Sequence, residues 1–169
     1  MIMPNLDLDL LLDQLADAIC QAPFFSADSK MIGLRTGGEY IALALAERLQ
    51  LNEAIGVLDS SFYRDDFATS GLSAQVQPSN IPWDVQDQTI ILVDDVVHTG
   101  RTIRAAMNEI FDYGRPARII LACLIDRQGG RELPIQPDFY AYATADALRF
   151  KLHGPRPLSL RIEPLEDTL

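Results

Sequence analysis

Leu8, Leu11, Leu12, Leu15 and Ile19 recur with aspartates between them, the ~3.6-residue period of an amphipathic helix, and predict a helix over residues 5–21. Its early aspartates suit a helix N-terminus. A short apolar run, Met31 to Leu34, ends at Thr36-Gly37-Gly38, and the helix-forming stretch Glu39 to Gln50 follows. Ala54 to Phe62 reads as a strand. Residues 63–88, with Gly71, Pro78 and Pro82 among polar residues, read as a long loop of the kind that usually carries function. Thr89 to Val93 and Ala117 to Ile125 lack any in–out alternation, which fits strands covered on both faces of a parallel sheet. Between them, Ile103, Met107, Ile110 and Phe111 mark one face of a helix over residues 99–113, closed by Gly114 and Pro116. Phe139 to Ala143 and Leu158 to Ile162 are weaker strand candidates. Strands alternating with helices predict an α/β fold with right-handed crossovers.

Composition narrows the class. With 169 residues, 48% of them hydrophobic, the chain is expected to form one domain whose core needs neither disulfide nor structural metal. The longest apolar run, Ile119 to Ile125, is far short of a membrane span, and no basic, apolar leader opens the chain. Cys20 and Cys123 sit in apolar surroundings and read as buried thiols of a reducing, cytoplasmic compartment.

Charge is uneven. Residues 1–100 hold 4 basic and 15 acidic side chains, a net of −11, and residues 101–169 hold 10 basic and 9 acidic, a net of +1. A total of −10 disfavours a protein built to coat nucleic acid. Arginine nonetheless supplies 12 of the 14 cations, and its planar fork suits phosphate. Arg101, Arg104, Arg115, Arg118, Arg149, Lys151, Arg156 and Arg161 are the residues that would form a basic face.

The chemistry concentrates in Thr89-Ile90-Ile91-Leu92-Val93-Asp94-Asp95-Val96-Val97-His98-Thr99-Gly100-Arg101-Thr102. A buried strand runs into paired carboxylates, then a turn rich in hydroxyl and glycine, then a helix start. Ligands of open α/β sheets bind beyond the carboxyl ends of strands. A helix beginning near Gly100 would aim free N–H groups and a positive dipole end at an anion, with Thr99 and Thr102 adding hydroxyls. Asp94 and Asp95 would accept from sugar hydroxyls or hold a hydrated Mg²⁺. The pattern reads as a grip for ribose 5-phosphate. An ATPase reading fails for want of a Gly-Lys-Ser/Thr loop, a dinucleotide site for want of any Gly-x-Gly, and a zinc site because His98 and His153 are the only histidines.

The Asp94-Asp95 pair followed by Thr99-Gly100-x-Thr102 resembles the PRPP-binding motif of the type I phosphoribosyltransferases. Phe62-Tyr63-Arg64-Asp65-Asp66, Tyr113-Gly114-Arg115-Pro116, Asp126-Arg127 and Arg131-Glu132-Leu133-Pro134 match the order of that family's pyrimidine-operon regulators, which are also uracil phosphoribosyltransferases. The likeness spans about residues 31–140. It implies a parallel sheet flanked by helices (core about 31–140) with a small hood from the C-terminal segment, in a homodimer or higher homo-oligomer. The implied reaction, a step of pyrimidine salvage, takes uracil and PRPP to UMP and pyrophosphate, with Mg²⁺ carried by PRPP and no metal ligand set in the protein. Asp94 and Asp95 would hold the ribose hydroxyls, and the loop Val96, Val97, His98, Thr99, Gly100, Arg101 and Thr102 the 5′-phosphate. Arg64 and Arg127 match positions that contact substrate; the alternatives are ion pairs with Asp65 or Asp66, and with Asp126 or Glu132. His98 replaces a common tyrosine and would be either a proton acceptor beside the base or a shape-filling ring. Thr36 and Gly37 lie in the pyrophosphate loop, where many members have Thr-Arg-Gly, so a charge is missing here; Arg35 is the nearest substitute. The family also includes RNA-binding attenuators that sense UMP or PRPP, a role the acidic N-terminal half disfavours.

Overall fold

Burial on both faces shapes the central strand. The computed structural model describes residues 4–59 and 78–165, and in it Thr89–Val97 (β3) has Ile91 and Val93 in one apolar layer and Ile90 and Leu92 in the other. β3 pairs in parallel with Lys30–Leu34 (β1) on one side and Arg118–Arg127 (β4) on the other. Gly56–Leu58 (β2) and Phe139–Thr144 (β5) complete a five-stranded parallel sheet in the order β2-β1-β3-β4-β5. Helices Leu8–Cys20 (α1) and Gly37–Leu49 (α2) cover one face through Leu12, Leu15, Ile19, Ile41 and Leu45. Arg101–Tyr113 (α3) covers the other through Ile103, Ala106 and Ile110. The expected α/β class and five of its strands are present.

Several details differ from the expectations. β2 is only three residues long, and residues 60–77, with Arg64 and most of the expected 63–88 loop, lie outside the described residues. The described end of that segment is packed: Asn80 bridges Val57, and Val85 is buried beneath α3. β3 runs through Asp94 and Asp95 to Val97 rather than ending at Val93. Phe111 is 55% exposed, because the buried stripe of α3 runs through Ile103, Ala106 and Ile110 and Phe111 is turned about 100° from Ile110 toward solvent. Cys20, expected to be buried, is exposed at the last position of α1, turned about 100° around the helix from the buried Ile19; Cys123 is buried in β4.

The C-terminal segment forms a two-stranded antiparallel ribbon, Leu148–His153 (β6) and Ser159–Pro164 (β7). β6 is not among the expected strands, although Leu-Arg-Phe-Lys-Leu-His alternates with the period of a half-buried strand. Its inward Leu148 and Phe150 join the core layer of α1 and α2. The bend between the strands rests on α2, where Arg156 pairs with Glu47 at 3.1 Å.

Candidate active site

Two helix N-termini meet at the carboxyl edge of the sheet. α2 starts directly after β1, and its first residues lie so close to β3 that a Cβ at Gly37 would overlap the Asp95 carboxylate and one at Gly38 the backbone of Val93 and Asp94. Absent side chains thus let a positive helix end approach the two carboxylates. Asp94 is 5% exposed and its Oδ1 accepts the Asp95 N–H at 2.9 Å; Asp95 Oδ1 accepts the Val96 N–H at 2.9 Å. The second helix end, that of α3, comes after Gly100, whose φ of 91° is in the left-handed region. Thr99 Oγ1 accepts the Arg101 N–H at 3.3 Å, which orders the turn, and the next N–H groups of α3 have no acceptor within the helix.

The segment after β4 closes over this turn. The Glu132 and Leu133 N–H groups donate to the Thr99 carbonyl at 3.0 and 3.1 Å. The His98 imidazole lies against Gly130, where an added Cβ would come within 2.7 Å of Nε2. Asp126, paired in register with Val97, is 1% exposed and forms an ion pair with Arg131. Burial, and after it the carboxylates of Asp126 and Asp94, raises the Cys123 thiol well above its ordinary value, so this core group stays neutral.

The predicted residues therefore separate into groups. Thr36, Gly37, Asp94, Asp95, Val96, Val97, His98, Thr99, Gly100 and Thr102 gather at this edge, on β3, the turn after it and the two helix starts. Arg101 contributes its backbone there, while its guanidinium is tied to Glu132, with Nε donating at 2.6 Å. Arg127 takes neither alternative partner, since Asp126 pairs with Arg131 and Glu132 with Arg101. It is half-buried beside Arg149 of the ribbon, and burial and then that neighbour lower its pKa. Arg35 is held by Glu39 at 3.2 Å and by the Pro78 carbonyl at 3.3 Å. The basic residues do not form one face: Arg118 begins β4 at the opposite edge of the sheet, stacked over Phe24, and Arg156 sits on α2. Among the described residues no group of three or more His, Cys, Asp or Glu gathers to hold a metal, and no helix is long and apolar enough to cross a membrane.

The model of the phosphoribosyl transferase domain matches residues 11–144. The chain belongs to the phosphoribosyltransferase family. It is 48% identical over 145 residues, 85% of each chain, to the bifunctional protein PyrR of Pseudomonas syringae pv. tomato. To the protein of the same name from Pseudomonas fluorescens it is 50% identical over 141 residues, 82% of this chain and 83% of the relative. Among solved structures, a purine phosphoribosyltransferase from Pyrococcus horikoshii Ot3 superposes with a TM-score of 0.59 at 26% identity, covering 80% of this chain and 82% of that one. The hypoxanthine phosphoribosyltransferase of Trypanosoma cruzi shares the fold, with a TM-score of 0.58 at 16% identity over 80% and 75% of the two chains. In this phosphoribosyltransferase the Asp126–Arg131 pair is the element that sequence reasoning misses. Both residues lie in recognised motifs, but only the fold turns Arg131, rather than the adjacent Arg127, onto the carboxylate.

Proposed function

We propose that the protein is a uracil phosphoribosyltransferase that converts uracil and PRPP into UMP and pyrophosphate. One observation carries the reading: two helix N-termini flank a pair of carboxylates at the carboxyl edge of one sheet. Two anion-ready helix ends suit a sugar phosphorylated at both ends, and the carboxylates suit its hydroxyls. We assign the 5′-phosphate to the turn from Val96 to Thr102, the ribose diol to Asp94 and Asp95, and the pyrophosphate to Thr36 and Gly37. Arg127 is assigned to substrate phosphate, and so is Arg64, on its motif alone. In the reaction the bond from C1′ to the pyrophosphate oxygen breaks, the bond from N1 to C1′ forms, and the N1 proton leaves. Holding both reactants in line and stabilising the departing anion are the tasks left to the protein.

Two adjacent carboxylates fit a Mg²⁺ that arrives with PRPP and keeps the oxygens of substrate and water as its other ligands. When bound it would neutralise charge on the pyrophosphate. His98 is assigned the N1 proton, as the imidazole on the turn that follows the two carboxylates. His98→Tyr tests this: a lost acid limb in the pH–rate profile supports the role, and an unchanged profile makes the ring a spacer.

A second reading, a UMP- or PRPP-sensing RNA-binding regulator, is favoured by the ribbon. Arg149, Lys151 and Arg161 crowd around Glu163, whose carboxyl is held below its usual range first by the Lys151 hydrogen bond. The deciding assay supplies Mg²⁺, PRPP and a panel of bases. UMP formed from uracil alone establishes the enzyme; binding of PRPP or UMP without product from any base leaves the sensor.

A further inference from the structure

Thr36-Gly37-Gly38-Glu39 has the Thr-x-x-Glu spacing of a capping box. In that motif the hydroxyl accepts the N–H of the third helical residue, and the carboxylate turns back to the N–H of the threonine. The start of α2 is built differently. Thr36 makes no side-chain cap bond, and the first bond within the helix runs from the Tyr40 N–H to the Thr36 carbonyl at 3.3 Å. The Gly37, Gly38 and Glu39 N–H groups therefore have no acceptor within the helix. The Glu39 carboxylate is held instead by Arg35, whose Nε donates to Oε2 at 3.2 Å.

Arg35 is fixed on its other side as well. Its backbone N–H donates to the Leu58 carbonyl of β2 at 2.8 Å, and its Nη1 to the Pro78 carbonyl at 3.3 Å. The Arg35 and Glu39 side chains are only 17% and 25% exposed, so salt screens their pairing less than that of surface charges. An uncapped helix start keeps its positive end for an anion, and a carboxylate in the first turn is the nearest competitor for that end. We propose that Arg35 is a positioning residue: it draws Glu39 away from the start of α2 and leaves that helix end to the pyrophosphate group of PRPP. Arg35 then acts through Glu39 and is not a substitute charge on the ligand. The assignment rests on the phosphoribosyltransferase reading above and adds to it what keeps the pyrophosphate loop receptive.

Titration calorimetry of the full chain with Mg²⁺ and inorganic pyrophosphate, and separately with ribose 5-phosphate, tests it. Arg35→Met frees Glu39 to turn onto the helix start and should weaken pyrophosphate binding roughly tenfold, the order of one capping interaction. Ribose 5-phosphate, assigned to the other helix end, should bind as before. Adding Glu39→Ala to Arg35→Met removes the competing carboxylate and should restore most of the lost affinity. The same Glu39→Ala in the wild-type background should gain far less, because Arg35 already holds that carboxylate away. Full affinity in Arg35→Met, a loss that Glu39→Ala does not rescue, or an equal gain in both backgrounds would each overturn the proposal while the phosphoribosyl reading stands. If Arg35→Met does not fold, Arg35→Gln, with a neutral donor in place of the cation, carries the same expectations. Failure of wild type to bind either pyrophosphate or ribose 5-phosphate would overturn both.

Discussion

Position 37 shows how one absent side chain sets the local chemistry. In the proposed pyrophosphate loop a glycine stands here with no charge, and its missing Cβ gives the Asp95 carboxylate its place against α2. Adding arginine there would not simply restore a cation, because its Cβ would first displace Asp95. Gly37→Ala should therefore weaken PRPP binding about tenfold while the fold persists, measured by calorimetry with PRPP and Mg²⁺. Asp94→Asn and Asp95→Asn each remove an anionic acceptor and should lower kcat/KM for PRPP by roughly 10- to 100-fold; full activity in both would refute the ribose assignment.

Helix ends and ribbon faces matter at the scale of elements. α2 and α3 each place an N-terminus at the same edge because each directly follows one of two parallel strands, β1 and β3, whose carboxyl ends lie at that edge. The ribbon is held by Leu148, which is 0% exposed, and Phe150, within the layer of α1 and α2. Leu148→Ala should cost about 3 kcal/mol in a guanidinium melt, as large-to-small core changes do. The Arg101–Glu132 pair is different, with side chains 56% and 49% exposed. Glu132→Gln should change stability by less than ~1 kcal/mol, since exposed ion pairs are screened.

For the whole molecule, the two thiols report on the packing. Cys20 is exposed and Cys123 buried, so a thiol reagent should modify one cysteine in the native protein and both in denaturant. Cys123 also predicts a pH dependence. Its folded pKa lies above that of the unfolded thiol, so the folded chain keeps a proton that the unfolded chain loses on the alkaline side. Its contribution is complete below about pH 8 and is lost as pH rises from there. Wild type should accordingly lose more stability between about pH 8 and pH 10 than Cys123→Ala, and parallel slopes in denaturant titrations would contradict this.

The order of strands and helices is legible in the residues because hydrophobic period depends only on neighbours along the chain. Asp94-Asp95 and Thr99-Gly100-x-Thr102 are legible for the same reason, as a turn between a strand and a helix brings together residues already adjacent. β6 escapes notice although its alternation is plain, because two prolines and a glycine after it resemble a loop. Partnership at a distance is held by no local pattern. Asp126 takes Arg131 and not its neighbour Arg127, Glu132 takes Arg101, Arg35 turns to Glu39, and Asp95 settles against Gly37. Burial is likewise undecided in the sequence for Cys20 and Phe111, which directly follow the fully buried Ile19 and Ile110 but are turned to the exposed side of their helices. Ion pairing and burial depend on which surfaces meet in space, and only the packing of helices, sheet and ribbon determines that.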